Sequence, residues 1–343
     1  MQNVKVAIHY AQGTFAERWI EYCKEKGIEY KVVNAYDSDI IQQIGDCNVF
    51  MWHHHHANYK DALFAKQLLY SLQMAGKKVF PDFRTGWHFD DKVGQKYLLE
   101  AIEAPLVPSY VFYTRDEALK WIAETNFPKV FKLRGGAGSD NVRLVHSKRE
   151  AIKLVNIAFG KGFSQYARWS NLKDRFHKWQ EGKLPFVVVC RGVGRLLIPS
   201  EFAKMHSPEK GYVYFQDFLP ENEYDQRIVV VNADKAFGIK RLVRKNDFRA
   251  SGSGNIIYDK TQLDENCVRI AFSVAKKLKA QSIAFDFIYD QERNPLIVEI
   301  SYGYAIKAYY DCEGYWTDDM IWHSGSHFDI EGWILEGVIN GIK

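Results

Sequence analysis

The chain has 343 residues, of which 47% are hydrophobic and 26% charged, and carries a formal net charge of +4. That length accommodates two or three domains with buried cores, while the absence of a long apolar run or a low-complexity tract excludes membrane-spanning and disordered classes. The charge is too mild to argue for nucleic acid, although it suits a cleft that receives polyanionic phosphate.

Val4–His9 reads as a strand, Ala16–Lys26 as a helix and Gly27–Val33 as a turn into a second strand, which together make a βαβ unit. A strand at Cys47–Trp52, a helix with Ala65, Leu68, Leu69 and Leu72 at i, i+3, i+4 and i+7, and the stretch Lys78–Pro81 continue the alternation. A small doubly wound domain over residues 1–88 is expected. It lacks the GxGxxG fingerprint, so a dinucleotide is not its expected ligand, and its strand ends are expected to face a substrate. The opening residues lack the apolar core and cleavage site of a signal peptide, which makes a cytoplasmic protein the expectation. Cys23, Cys47, Cys190, Cys267 and Cys312 are odd in number and form no CxxC pair, so they read as reduced core thiols. His53-His54-His55-His56 follow the third strand. Consecutive side chains of an extended segment point apart and cannot share one ion, which favours a polar loop.

Lys92 and Lys96 stand in a helix entered from the charged turn Asp90-Asp91. Thr114–Glu117 and Ser147–Glu150 are capping boxes, each opening a further helix. Between them the strand Phe127–Lys132 runs into Leu133-Arg134-Gly135-Gly136-Ala137-Gly138-Ser139. Exposed backbone N–H groups in such a loop can hold phosphate oxygens. No GK[ST] follows, so a glycine-rich hairpin is expected rather than a Walker loop, and Lys132 at its mouth distinguishes it from a plain turn. Gly162–Gly182 carries Trp169, Leu172, Phe176 and Trp179 at helical spacing among basic residues, and an amphipathic packing helix is favoured over a nucleic-acid surface.

From Val213 the chain turns β-rich, with strands at Val213–Asp217, Arg227–Val231 and Ala236–Val243 and a helix burying Cys267, Ile270, Ala271 and Val274. Ala284–Asp290 and Pro295–Ser301 then form a hairpin about Gln291–Asn294. Asp286 and Glu299 lie inside these apolar runs, where a carboxylate requires a cation. Two readings stay open, a magnesium ion held by both carboxylates and salt bridges to Lys or Arg. Arginines placed before Ala250-Ser251-Gly252-Ser253-Gly254-Asn255 can clamp a phosphoryl group or carboxylate bidentately.

In this order the motifs resemble an ATP-grasp ligase over Asp90–Gly303, closest to the ligases that extend ribosomal protein or glutamate-containing peptides. The resemblance implies α/β and α+β architecture, with a pre-ATP-grasp domain at 1–88, a central domain at 89–206 and a C-terminal α+β domain at 207–343. It implies ATP and Mg2+ as cofactors. Lys92 and Lys132 would hold the ATP phosphates under the loop of Gly135, Gly136, Gly138 and Ser139. Gln216, Asp217, Phe218 and Leu219 are similar to the hinge that pairs with adenine, where Asp217 replaces the usual Glu, and Asp225 or Glu223 would contact the ribose. Asp286 and Glu299 fall on the magnesium carboxylates, and Ser301 stands where the family has Asn, implying a weakened second metal position. Arg227, Lys240, Arg241 and Arg249, with Ser253 and Asn255, are assigned to the acyl-phosphate and acceptor end.

The implied reaction joins a small-molecule carboxylate to an amine. The carboxylate attacks the γ-phosphorus, and the amine displaces phosphate from the acyl phosphate, so the protein mostly positions reactants and stabilises charge. A kinase acting on a hydroxyl and a silent nucleotide-binding regulator are the alternatives, and a homo-oligomer is compatible with all three readings. The aromatic tail Tyr302–Trp333 begins directly after the hairpin. Phe328 and Trp333 are expected to pack a C-terminal helix, whereas Tyr302, Tyr304, Tyr315, Trp316 and His323 are expected to border the reacting centre and stack on a sugar such as a uronic acid or amino sugar of a surface glycan. The tail loosely resembles those of ATP-grasp proteins encoded with bacterial polysaccharide genes.

Overall fold

The computed structural model describes residues 4–135, 141–164, 176, 179, 185–188, 207–244, 247–250, 252 and 254–341. Two compact units result, one of residues 1–89, 98–105 and 221–343 and the other of residues 90–97 and 106–220.

The first unit opens with β1 (Lys5–His9), α1 (Ala16–Lys26), β2 (Glu29–Val33), α2 (Ile40–Ile44), β3 (Val49–Met51), α3 (Tyr59–Met74) and β4 (Lys78–Phe80). The strands form the expected parallel sheet, in the order β2-β1-β3-β4. Gly27 ends α1 at φ +64°, donating its N–H back to the carbonyls of Cys23 and Lys24, a left-handed cap that turns the chain into β2. Both faces of the sheet are covered. Ala7, Phe50 and Val79 pack with Ile44, Ala65, Leu69 and Leu72, while Val6, Ile8, Met51 and Phe80 pack with Trp19 and Cys23 of α1.

After α4 (Phe83–Gly86) and α5 (Lys92–Ala101), the second unit contributes β5 (Ser109–Phe112), α6 (Arg115–Glu124), β6 (Lys129–Lys132), β7 (Val142–Val145), α7 (Lys148–Ala158) and β8 (Val213–Asp217). Its antiparallel sheet runs β5-β8-β6-β7. Both capping boxes form, with Thr114 Oγ1 accepting from the Glu117 N–H and Ser147 Oγ from the Glu150 N–H, each at 3.3 Å. Ser147→Ala should cost about 1 kcal/mol, read as a lowered urea midpoint. β6 and β7 bracket the glycine-rich loop as a hairpin, although Gly136, Gly138 and Ser139 lie outside the described residues. Of the segment Gly162–Gly182, expected as a helix, only residues 162–164, 176 and 179 are among the described residues; Phe163 bridges Glu209, and the rings of Phe176 and Trp179 stand 5.4 Å apart.

The first unit resumes with β9 (Tyr224–Val231), β10 (Lys235–Leu242), β11 (Ile256–Ile257), α8 (Glu265–Leu278), β12 (Ser282–Tyr289), β13 (Pro295–Ser301), β14 (Gly314–Thr317), β15 (Trp322–Ser324) and α9 (Ile330–Asn340). These strands make an antiparallel sheet ordered β13-β12-β9-β10-β14-β15, with β11 attached to β10. α8 lies over one face, burying Cys267, Ala271, Val274 and Ala275. A Cβ at Gly238 in β10 would come 3.1 Å from the Arg227 carbonyl and closer still to Ile228, so only glycine fits that approach. On the other face Val229, Val231, Phe237, Ile239 and Ala284 share one core with the N-terminal sheet, α1 and α9.

This division departs from the expected segments 1–88, 89–206 and 207–343. β8, expected within the C-terminal domain, hydrogen-bonds between β5 and β6, and residues 1–89 share a core with the C-terminal sheet instead of standing apart.

Candidate active site

In the second unit, Lys132 closes β6 with its ammonium buried and donating to Gln216 Oε1 at 2.6 Å. Gln216 in turn donates to Ser109 Oγ at 3.0 Å. One residue further along β8, Asp217 accepts from Lys129 at 2.6 Å. The two lysines of β6 therefore reach successive residues of β8, and Phe218 and Leu219 follow half-buried. Lys92 is buried at the first position of α5, and its N–H donates to the Arg134 carbonyl at 3.0 Å, which ties α5 to the start of the glycine-rich loop. A Cβ at Gly135 would come 3.3 Å from the Asp90 carboxylate.

In the first unit, cross-strand register assembles the charged residues. Glu299, Asp286 and Arg227 stand in a row across β13, β12 and β9. Asp225 and Arg241 face each other across β9 and β10. Side chains two residues apart on a strand share a face, so this row, the Asp225–Arg241 pair and Ser301 all project from the same side of the sheet. Arg227 Nε donates to Asp286 Oδ1 and its Nη2 to Oδ2 at 2.6 Å. Arg241 forks onto Asp225 at 2.7 and 2.5 Å and reaches Asp286 Oδ2 at 3.1 Å. Of the two cations considered for these strands, the arginines are the ones in contact with Asp286. Burial opposes the Asp286 charge, but Arg227 and Arg241 outweigh it and hold the carboxyl well below the usual carboxylate range. The neighbouring carboxylate pushes the Arg227 guanidinium the other way, keeping it charged despite burial. Tyr309, not singled out in the sequence, is buried beside Arg227, and burial raises its hydroxyl to about 12. Only the topology brings it there, because it lies eight residues beyond β13 and outside any strand.

Lys240 alternates to the opposite side, where its ammonium lies 3.9 Å from the Tyr224 ring centre and 3.4 Å from Gln262 Oε1. Arg249 chelates Asp247, with Nη2–Oδ2 at 2.6 Å. Asn255 is exposed and its carbonyl accepts from the Leu242 N–H, while Ser253 lies outside the described residues. Glu223 is exposed.

The aromatic tail requires a correction. Tyr302, Tyr304 and Trp316 are fully or almost fully buried, with the Tyr302 hydroxyl donating to the His54 carbonyl at 2.8 Å and Tyr304 bonded to Ser282 Oγ at 2.7 Å. They are core residues, so Trp316→Ala would report on packing rather than on a ligand. Tyr315 and His323 remain accessible, stacked at 5.1 Å, and Phe328 and Trp333 stack on each other over α9 as expected. The histidine run is a loop, but not a wholly polar one. His53 stacks on Phe15 at 3.7 Å and His54 is buried against Phe89 and Tyr302, and burial keeps both imidazoles neutral.

Among the described residues no group of three or more His, Cys, Asp and Glu side chains is arranged to hold a metal ion. A cation on the Asp286–Glu299 pair would thus need oxygens from a bound phosphate to complete its shell. No helix among them is long and apolar enough to cross a membrane.

Residues 200–311 match the RimK-like ATP-grasp domain family. No curated protein matches the sequence. Among solved structures the chain is similar to an ATP-grasp RimK domain protein from Sphaerobacter thermophilus, at 15% identity and a TM-score of 0.56, covering 98% of this chain and 100% of that one. It is similar to D-alanine–D-alanine ligase from Bacillus anthracis complexed with ATP, at 12% identity and a TM-score of 0.53, covering 89% and 88%. A third similar structure is the biotin carboxylase domain of Hydrogenobacter thermophilus 2-oxoglutarate carboxylase in complex with MgADP, at 13% identity and a TM-score of 0.58, covering 98% and 69%. At such identities the likeness speaks for the fold: the chain has the ATP-grasp fold, with a RimK-like ATP-grasp domain matched over residues 200–311.

Proposed function

We propose that the protein is an ATP- and Mg2+-dependent ligase that activates a carboxylate as an acyl phosphate and passes it to an amine, releasing ADP and phosphate. The observation that carries this reading is the row Glu299–Asp286–Arg227 with Arg241 beside it, on one face of an ATP-grasp sheet. Carboxylates and guanidiniums on one surface are what a phosphoryl transfer requires, since its catalysis is mostly positioning and charge stabilisation.

The donor chemistry fits a hard divalent cation. Asp286 and Glu299 oppose each other on adjacent strands with Ser301 on the same face, and the guanidiniums drawn against Asp286 mark a place that calls for positive charge. Magnesium, when bound there, would neutralise phosphate charge and polarise the transferring phosphoryl group. The chain's own residues do the rest. Lys92, Lys132 and the loop beginning at Gly135 bind the phosphates of ATP, Gln216–Leu219 take the adenine, and Arg227 and Arg241 orient the transferring group. Arg249 is assigned to the acceptor. A uronic-acid or amino-sugar acceptor is supported only by the accessible Tyr315–His323 stack, because the other rings assigned to it are core.

Incubation with ATP, Mg2+, hydroxylamine and candidate acids tests the reading. A hydroxamate is expected, whereas a stable phosphorylated acceptor in its place would make the protein a kinase. Lys132→Ala should raise the Michaelis constant for ATP by about 10- to 100-fold, the worth of one charge-assisted hydrogen bond, with a smaller effect on kcat. A kcat loss without a KM change would remove Lys132 from the nucleotide site.

A further inference from the structure

Asp286 already has most of its acceptor positions engaged by cations. A carboxylate offers about four lone-pair positions, and Arg227 Nε, Arg227 Nη2 and Arg241 Nη2 all lie against its two oxygens. A divalent ion arriving at this carboxylate therefore meets two fixed positive charges that already use the oxygens it needs.

The two arginines differ in how readily they can leave. Arg241 holds Asp225 through two short bonds of 2.7 and 2.5 Å and Asp286 through a single one of 3.1 Å. Releasing Asp286 would leave Arg241 still paired, so no buried charge is stranded. Arg227 donates to Asp286 through both Nε and Nη2 and lies beside Tyr309. It can turn away only when another anion receives it. A polyphosphate is the natural recipient, because the planar guanidinium fork matches phosphate oxygens bidentately.

We propose that Arg227 and Arg241 form a latch on Asp286 that keeps divalent metal off this carboxylate until a nucleotide polyphosphate takes up the guanidiniums, so that metal and nucleotide bind with positive coupling. The proposal rests on the reading of this face as the site of ATP-dependent chemistry and specifies how that site is regulated. Arg241 acts in it as a positioning residue, setting the availability of a metal ligand. Opening the latch costs little in the presence of phosphate and much in its absence, which keeps the nucleotide-free site from collecting stray cations.

The test reads free Mn2+ by electron paramagnetic resonance while the metal is titrated into the full chain without nucleotide. Wild type is compared with Asp225→Asn/Arg241→Gln, which removes one charge of each sign and leaves no uncompensated partner, and with Arg241→Lys, which keeps the charge but lacks the planar guanidinium fork. Circular dichroism confirms that each is folded. Without nucleotide the double variant should bind Mn2+ about 5- to 150-fold more tightly than wild type, with Arg241→Lys between them, and adding Asp286→Asn should abolish the gain. A parallel calorimetric titration of wild type with a non-hydrolysable ATP analogue and Mg2+ separates the two claims. Analogue binding with equal Mn2+ affinity in wild type and both variants overturns the latch alone, whereas no analogue binding overturns the ATP reading beneath it.

Discussion

Glu299→Gln is expected to leave the protein folded and to lower turnover by about 10²- to 10³-fold. Glu299 is half-buried on β13 opposite Asp286, and Gln fills nearly the same volume, so the hairpin and its packing should survive. What is lost is one formal negative charge on the row. Asp286 is shared with two arginines, so it cannot make good the loss of the Glu299 charge for a cation beside the transferring phosphoryl group. Coupled ADP release, run beside circular dichroism, measures the effect. Turnover equal to wild type would reject Glu299 as a metal ligand. A protein that has lost its secondary structure would instead assign the residue to folding.

Arg241→Ala should destabilise the first unit by about 3–5 kcal/mol, the cost of breaking a buried ion pair from one side. Its side chain is 9% exposed and serves both Asp225, at 13%, and Asp286, at 12%. Alanine leaves one carboxylate without a cation and the other with a single one, while filling none of the vacated volume. Urea or thermal unfolding followed on the first unit would detect it, and a loss under 1 kcal/mol would show that water compensates the pair. The pH dependence has a definite sign. Asp286 is held below its unfolded value near 3.9, so its contribution is fully present above that pH and is lost as pH falls through and below it. Stability should therefore be insensitive to Asp286 between pH 5 and 8 and fall in acid. In Arg241→Ala the acid loss due to Asp286 should begin at the same pH but be smaller and complete at a higher pH, because one of the two charges that depress the carboxyl is gone.

The carboxylate hairpin, the capping boxes, the βαβ alternation and the glycine-rich hairpin are all legible in the sequence, because each is written in one short continuous stretch of chain. Period-2 and period-3.6 patterning, a Ser or Thr three residues before Glu, and an Asn-Pro turn act through neighbours in the chain. The requirement for a cation at Asp286 was legible too, since an apolar run forbids an isolated charge. Its identity was not. Arg227 lies 59 positions away and comes beside Asp286 only through the register between β9 and β12.

The sequence by itself thus determined the N-terminal βαβ alternation, the two capped helices and the glycine-rich and carboxylate hairpins, and that Asp286, Glu299 and the arginines before the Gly/Ser loop carry the charge. Tertiary structure alone decided where each points and what covers it. Arg241 and Lys240 are adjacent in sequence, yet one joins the carboxylates and the other lies over Tyr224 on the far side, because a strand sends successive side chains to opposite faces. β8 went to the second unit's sheet since β5 and β6 supplied its hydrogen-bond partners. Tyr302 looked as much like a sugar platform as like core. Its hydroxyl binds the carbonyl of His54, 248 positions away, and whether a ring is buried depends on what the rest of the chain lays over it, a property that no local pattern of residues encodes.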